Sequence, residues 1–320
     1  MKLRHVFLAL ALCAAPLAQA QSWPTKPVRL VVPVSPGGTT DLLARVVGEA
    51  LQKSTGQAVV VDGKPGAAGA IGSIEVARAP ADGYTLLVAT SSTHAVAPAM
   101  SNTLRYDPVG DFTPIALLAE SNNLLLVSPT ITAKNMKELL EQIRKRPGQL
   151  NYVSSGIGSF AHLAFELFKQ DAGVFITHIP YKGTGATLPD LVAGQVHLAI
   201  DAIPSGLPHV KEGRVKGLAV TGPRRSPLAP DIPTIAESGV PNFAVLSWFG
   251  LYAPKGLAPE LQRKINEEIN KVMASPEVSA RFAQLGIEPG KGSAADFAKM
   301  VATDRAKWTE LVKERKIKAE

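Results

Sequence analysis

Apolar residues follow two different periods along the chain, and the change between them marks the first pair of elements. The stretch Val28–Val32, VRLVV, has the length and the β-branched composition of a buried strand. After a loop at 33–38, apolar residues return over 42–47 at helical spacing. The pattern predicts a strand, a glycine turn and a helix. Thr40 or Asp41 is a candidate cap, and Asp41 is spaced to pair with Arg45 on the helix.

A second stretch repeats this arrangement. A strand is predicted over 150–154, a glycine turn over 155–159 and a helix over 161–169. A helix start offers unpaired backbone N–H groups, and glycine lets a ligand approach them without meeting a Cβ atom. Each turn alone could simply connect a strand to a helix. Because the motif recurs, we expect two lobes that each present one turn to a shared cleft.

The remaining pattern predicts an α/β fold with two lobes. Short strands alternate with helices over 58–89 and 177–221, which favours a mainly parallel sheet flanked by helices in each lobe. Ligands of such sheets bind beyond the carboxyl ends of the strands, where we expect a polar loop at 90–94. Helices that begin at Pro259 and Ser293 should pack against the first lobe.

The chain is expected to cross between the lobes twice, near 118–126 and 247–252. This divides it into a signal peptide at 1–20, lobe I at 21–122 and 246–320, and lobe II at 123–245. The signal peptide is predicted from a basic start, a short apolar core and Ala18-Gln19-Ala20, with cleavage after Ala20. No later apolar run reaches the roughly 18 residues of a membrane span, so we expect a periplasmic protein.

Composition narrows the function. The one cysteine, Cys13, lies in the signal peptide, so no disulfide is expected in the mature protein. The net charge of +7 falls to +5 without Lys2 and Arg4, as 32 basic against 27 acidic residues. The basic residues form no stripe with interleaved aromatics, which argues against a nucleic-acid partner. A monomer is expected.

Enzyme motifs are weak or missing. The run at 156–161 fits G-x-G-x-x-A, but the next strand is not followed by an acidic residue that could hold a ribose. There is no P-loop and no G-x-S-x-G, and no two histidines of the mature chain have H-x-x-x-H spacing. We therefore expect no catalytic residue, no metal and no cofactor. An exported hydrolase or lyase that uses His162 or Asp201 is kept as a minor alternative.

The candidate ligand-binding residues are glycines, hydroxyl side chains and one acid. Lys182 is the one permanently charged side chain in the loops assigned to the cleft, so a carboxylate would be held mainly by neutral donors. Asp201, at the end of its strand, would accept from an ammonium or hydroxyl group of the solute. The predicted set is Ser35, Gly37, Gly38, Thr39, Thr40, Ser91, Ser92, Ser155, Gly158, Ser159, Thr184 and Asp201.

Several motifs, in this order along the whole mature chain, resemble those of the Bug family of periplasmic solute receptors. They include WPTKP before VRLVVPVSPGGTTD, then DGKPGAAG, ADGYTLL, PYKG, DIPT and WFGL. The resemblance implies a two-lobed periplasmic binding protein of type II-like fold that captures a small carboxylate or amino-acid solute. It also implies membrane permease subunits of a tripartite tricarboxylate transporter as partners.

One segment departs from the family pattern. Val34-Ser35-Pro36 stands where many relatives carry an aromatic residue and two prolines, which leaves the shape of the ligand open. A ligand-sensing module for a membrane sensor kinase is the alternative that the sequence cannot separate from transport.

Overall fold

The protein is described by a computed structural model that covers residues 23–34, 36–100, 104–181 and 187–318. The predicted signal peptide and the candidate residues Ser35 and Thr184 therefore lie outside the described residues, as does Lys182.

The strands form two mixed sheets. The six-stranded sheet has the order β11-β4-β10-β3-β1-β2, and the five-stranded sheet has the order β7-β6-β8-β5-β9. The strand bounds are β1 Val28–Val32, β2 Val59–Gly63, β3 Thr85–Thr90, β4 Phe112–Ser121, β5 Asn123–Val127, β6 Asn151–Ser154, β7 Thr177–Pro180, β8 Leu198–Ala202, β9 Lys216–Val220, β10 Ser247–Pro254 and β11 Ile287–Pro289.

Each sheet is parallel over three strands only. β1 pairs in parallel with β2 and β3, and β6 pairs in parallel with β7 and β8. The strands next to the crossings, β4, β5 and β10, join their sheets antiparallel. The α/β architecture with two sheets was predicted, whereas the antiparallel half of each sheet was not. Chain direction is not encoded in the apolar pattern of a buried strand.

Helices cover the faces of both sheets. Their bounds are α1 Thr39–Thr55, α2 Ala70–Ala77, α3 Ala97–Met100, α4 Met136–Lys145, α5 Phe160–Ala172, α6 Thr187–Ala193, α7 Ile203–Lys211, α8 Pro259–Met273, α9 Pro276–Gln284 and α10 Ala294–Arg315. On the six-stranded sheet, alternate residues of β1 enter opposite cores: Leu30 and Val32 face one, Val31 the other. Among the described residues, no helix has the length and apolarity needed to cross a membrane.

The first connection between the sheets is a single residue, Asn122, between β4 and β5. Its side-chain oxygen accepts from the backbone N–H of Gly222 at 2.6 Å, and its amide donates to the Arg224 carbonyl at 3.0 Å. A Cβ atom on Gly222 would lie 2.4 Å from that oxygen, so a larger residue there would displace the Asn122 side chain. The amide of Asn123 donates to the Ser247 hydroxyl at 3.2 Å. These bonds hold the two connecting segments side by side.

The C-terminal helix α10 begins as the sequence predicted. The Ser293 hydroxyl accepts from the backbone N–H of Asp296 at 3.1 Å, and Asp296 accepts from the backbone N–H of Ser293 at 3.0 Å. At its other end the helix reaches α5, where the Gln170 amide donates to Glu314 at 2.9 Å. Helix α10 therefore contacts the helices of both sheets.

Three local expectations differ from the structure. The polar loop expected at 90–94 is a π-helical segment, Ser92–Val96, that leads directly into α3. Helix α9 and the short strand β11 were not predicted, because the prolines in this region suggested only an end to α8. Ser275 caps α9 by accepting from the N–H of Val278 at 3.3 Å, which makes Pro276 a first-turn residue.

Candidate functional site

The predicted site loops lie at the carboxyl ends of parallel strands. β1 and β3 are neighbours, so the turn after β1 and the π-helical segment after β3 share one sheet edge. In the other sheet β6 lies between β7 and β8, which places the turn at 155–159 close to Asp201. A Cβ atom on Gly158 would lie 3.4 Å from Cγ of Met100, at the end of α3. The two edges therefore approach each other.

In the first turn, the carboxylate of Asp41 neutralises the positive end of helix α1. Gly37 has a left-handed φ of 87°, and its N–H donates to Oδ2 of Asp41 at 3.0 Å. The Asp41 carboxylate is buried and also receives two bonds from Arg45, at 3.0 and 3.1 Å. These Arg45 bonds hold the pKa of Asp41 below its usual range, assisted by the bond from Gly37. The predicted Asp41–Arg45 pair is confirmed.

Because Asp41 occupies the Gly37 N–H, that donor is already used. Gly37 and Gly38 are exposed, Thr39 is half-buried and Thr40 is buried. Gly38 is the cap residue of α1 and supplies no side-chain bond. This turn therefore offers a ligand the remaining first-turn N–H groups and the Thr39 hydroxyl.

In the second turn, a neutral imidazole stands where the first turn has a carboxylate. Gly158 has φ 76°, and its N–H donates to Nδ1 of His162 at 3.1 Å. Ser159 caps α5 by accepting from the His162 N–H at 3.3 Å, which leaves its own hydroxyl proton for a ligand. Ser155, Gly158 and Ser159 are all half-buried. The positive end of α5 is thus not cancelled by a charge in its first turn.

A column of four stacked rings supports this second turn. His162 stacks on His178 at 4.2 Å between ring centroids, His178 on Tyr152 at 4.7 Å, and Tyr152 on Phe165 at 4.3 Å. Nε2 of His178 lies 2.7 Å from the hydroxyl of Ser154, which also bonds to the backbone of the turn. Burial, and then the neighbouring His162, lower the pKa of His178 to about 4. Both imidazoles are therefore neutral at neutral pH.

Below the column lies a buried ionic cluster. Glu166 accepts from the Tyr152 hydroxyl at 2.8 Å and from Nζ of Lys169 at 2.5 Å, and Lys169 is only 7% exposed. Nη2 of Arg315, from helix α10, lies 3.4 Å from the second oxygen of Glu166. Burial alone would raise the pKa of Glu166, but the bonds from Lys169 and Tyr152 bring it below its usual range. The cluster ties α5 to α10.

The segment after β3 is more buried than its hydroxyl content suggested. Ser91 is 2% exposed and Ser92 is half-buried. The Thr93 hydroxyl folds back to the Thr90 carbonyl at 3.0 Å, and the Thr90 N–H donates to it at 3.1 Å. His94 is fully buried, and this burial lowers its pKa to about 3. Ser92 is thus the more exposed of the two predicted ligand residues in this segment.

Asp201 lies at the end of β8 with both oxygens engaged. Oδ1 accepts from the N–H of Ala202 and Oδ2 from the hydroxyl of Ser205, both at 2.8 Å. Burial raises the pKa of Asp201 in spite of these bonds. A carboxylate oxygen has two lone pairs, so each can accept one further bond from a solute.

The structure brings most of the predicted residues to the facing edges. The sequence did not assign His162 and His178 to the support of the second turn. The signal that would have found His162 is its spacing from Gly158, which equals the spacing of Asp41 from Gly37. Within the described ranges, no group of three His, Cys, Asp or Glu side chains is placed to hold a metal ion.

Comparison with known proteins agrees with this architecture. The chain is 36% identical over 310 residues to protein BugT of Bordetella pertussis, covering 97% of this chain and 95% of that protein. Rpa4515 of R. palustris, solved with adipate, superposes with a TM-score of 0.83 at 40% identity, covering 91% of this chain and 98% of that one. MatC of Rhodopseudomonas palustris, solved with malate, superposes with a TM-score of 0.79 at 33% identity, covering 91% and 100%.

The family assignment rests on most of the chain. The model described as tripartite tricarboxylate transporter family receptor matches residues 43–317, which include every strand except β1 and also the second glycine turn. The chain therefore belongs to the tripartite tricarboxylate transporter receptor family of periplasmic solute-binding proteins.

Proposed function

We propose that this protein captures a small carboxylate between two lobes, in the periplasm, for uptake by a tripartite tricarboxylate-type transporter. The observation that carries the proposal is the second turn, where no acidic side chain in the first turn of α5 cancels the helix dipole and the hydroxyl proton of Ser159 is left for a ligand. Several aligned neutral donors can hold an anion at such a helix start. Relatives solved with adipate and malate support a carboxylate as the ligand class.

In this proposal the two turns have different tasks. One carboxylate of the solute binds at the second turn, and the rest of the solute meets the first turn and Ser92. Asp201 accepts from a hydroxyl or ammonium group of the solute. Every candidate is a hydroxyl, a backbone N–H or an already bonded acid, so we propose binding without catalysis.

The lobes are proposed to be 21–122 with 246–320, and 123–245, hinged at Asn122 and next to Ser247. Closure should reduce the radius of gyration in small-angle scattering when ligand is added to protein that has been unfolded and refolded to remove any carried solute. An unchanged radius in ligand-bound protein would exclude closure.

Export is proposed to end with cleavage after Ala20. Intact-mass analysis of the periplasmic protein should then give the mass of a chain that begins at Gln21.

The direct test of function is a titration with adipate and malate against 1,6-hexanediol, which has the chain length of adipate but no charge. We expect at least one dicarboxylate to bind and the diol not to bind, because the second turn selects for negative charge. Native mass spectrometry of freshly purified protein would identify a solute of another length carried from the cell. Equal binding of the diol, or a carried solute without an acidic group, would overturn the proposal.

A further inference from the structure

A cavity of about 490 Å³ lies beside the connection between the two sheets, away from the facing edges. One wall comes from helix α10, another from strands β4 and β10, and a third from the connector at 223 and 244–246. None of the twelve predicted ligand residues lines it. A smaller cavity of about 210 Å³ continues from it on the side of α9 and β11, and the two share Glu120, Pro223 and Leu246.

Helix α10 contributes two acids and two lysines to the larger cavity. Asp304 accepts from the Trp248 indole N–H at 2.9 Å and lies 3.2 Å from Nζ of Lys307. Asp296 accepts from Ser293 in the capping box, and Lys299 lies one helical turn after it. Together these four side chains add no net charge to the cavity.

Glu120 is the acid that remains. Its side chain is half-buried and borders both cavities, and no hydrogen bond or ion pair holds it within the described part of the chain. Its cross-strand neighbour on β11 is another acid, Glu288, which is paired with Arg224 at 3.3 Å. Burial, and then the charge of Glu288, raise the pKa of Glu120, and the charge of Arg224 opposes them only in part. A cation from outside the chain would relieve both effects.

The other cross-strand neighbour of Glu120 is aromatic. Trp248 on β10 pairs with Glu120 in the sheet register, is 3% exposed, and lines the cavity with Met300 and Leu246. The cavity therefore combines apolar walls with one carboxylate that makes no ion pair in the described part of the chain, in the volume range of small-molecule sites.

We propose that this cavity is a second ligand site, for a small organic cation with an apolar body, with Glu120 as its counter-charge. The ammonium group would donate hydrogen bonds to the Glu120 carboxylate, and the apolar body would lie against Trp248 and Met300. This site takes the opposite charge to the cleft and does not depend on what the cleft binds.

Phenethylammonium is the probe, with 2-phenylethanol as the neutral analogue and 3-phenylpropionate as the anionic one. Ligand-observed NMR titration of the whole mature protein should show phenethylammonium binding with a Kd near or below about 1 mM, which is within the range for a ligand of this size. The two analogues should bind at least about tenfold more weakly, because hydrogen bonds to an ionised group are the strong ones.

Three variants locate the probe. Glu120→Gln should weaken phenethylammonium about tenfold, and Ala244→Trp, which fills the cavity from the exposed connector, should abolish binding. Asp201→Asn, which tests the cleft, should leave it within about threefold, because the two sites are far apart. Binding that survives Glu120→Gln and Ala244→Trp, that is lost in Asp201→Asn, or that is equal for the three probes would overturn the proposal. If phenethylammonium shows no binding up to about 10 mM, a limit chosen for a ligand of this size, the proposal is also overturned.

Discussion

The two glycine turns have the same spacing but opposite chemistry. In the first, Gly37 donates to Asp41, and Asp41 pairs with Arg45 four residues later. In the second, Gly158 donates to His162, and the residue four positions later is Glu166. In both turns the N–H of a left-handed glycine thus donates to the side chain four residues later, and this bond fixes the start of the following helix.

The difference lies in where the negative charge sits. In the first turn it is at the helix start and is balanced by a half-exposed arginine. In the second it is one turn deeper, buried with Lys169 and Arg315, while the helix start meets only neutral rings. A helix start without a nearby carboxylate is the better place for a ligand anion. The same backbone motif therefore serves mainly as structure at the first turn, and the anion site that we propose lies at the second.

The largest expected effect concerns stability. Glu166→Gln should lower the free energy of unfolding by about 3 kcal/mol, because it leaves the buried Lys169 without its counter-charge. Asp41→Asn, the matched change in the first turn, should cost only about 1 kcal/mol, since Arg45 is 50% exposed and can be hydrated. Urea unfolding followed by circular dichroism measures both. Equal costs would show that Lys169 and Arg45 are not differently buried in solution.

The next effect concerns affinity. His162→Asp gives the second turn the carboxylate that the first turn has. It should weaken binding of a dicarboxylate about a hundredfold, because a new carboxylate about 4–7 Å from the ligand costs roughly 2–4 kcal/mol. His162→Asn keeps a neutral acceptor for the Gly158 N–H and should stay within about tenfold of the parent. Calorimetric titration with whichever dicarboxylate the parent binds compares the two variants.

Both variants of His162 lose the stacking on His178, so any general loosening of the turn is common to them. The difference between Asp and Asn therefore isolates charge. If the Asp and Asn variants bind equally well, the ligand carboxylate does not sit at the second turn.

A smaller effect separates the hydroxyls of the two turns. Ser159→Ala should weaken the dicarboxylate about tenfold, through loss of one bond to a charged group. Thr40→Val should weaken it less, about threefold, because Thr40 is 7% exposed and the helix start beside it is already neutralised by Asp41. The reverse order in calorimetry would place the ligand carboxylate at the first turn instead. Circular dichroism would check that Ser159→Ala, which also removes a cap, remains folded.

The sequence predicted what depends on spacing along one element. The strand and helix periods, the Asp41–Arg45 pair and the capping box at Ser293 follow from neighbours within four residues, and the structure confirms them. The family follows from many such short motifs in order. These are local relations, which the printed sequence contains in full.

The rest depends on contacts between distant residues. The ring column joins His162, His178 and Tyr152 from three elements, and the Glu166 cluster needs Arg315 from the far end of the chain. The burial of Ser91 depends on the π-helical segment that Thr93 closes onto Thr90. A residue type indicates that a hydroxyl exists but not which way it faces. The assignment of the twelve ligand residues therefore stays a prediction.

The last effect uses pH to distinguish the two turns without any ligand. In the folded protein the pKa of His178 is lowered to about 4 by burial and by His162, with Lys169 acting in the same direction and Glu166 opposing. The unfolded chain, with an ordinary histidine pKa near 6.5, therefore binds more protons between about pH 6.5 and 4, and stability must fall as pH falls through that window. The stability advantage of the parent over His178→Gln should shrink by about 1–2 kcal/mol between pH 7 and pH 5.

The first turn supplies the control. The pKa of Asp41 is lowered by Arg45, so Asp41 stays ionised in both conditions and the cost of Asp41→Asn should not change. Urea unfolding at the two pH values compares both variants with the parent. A cost for His178→Gln that is constant between pH 7 and pH 5 would mean that His178 is hydrated in solution and that the ring column does not keep the second turn neutral.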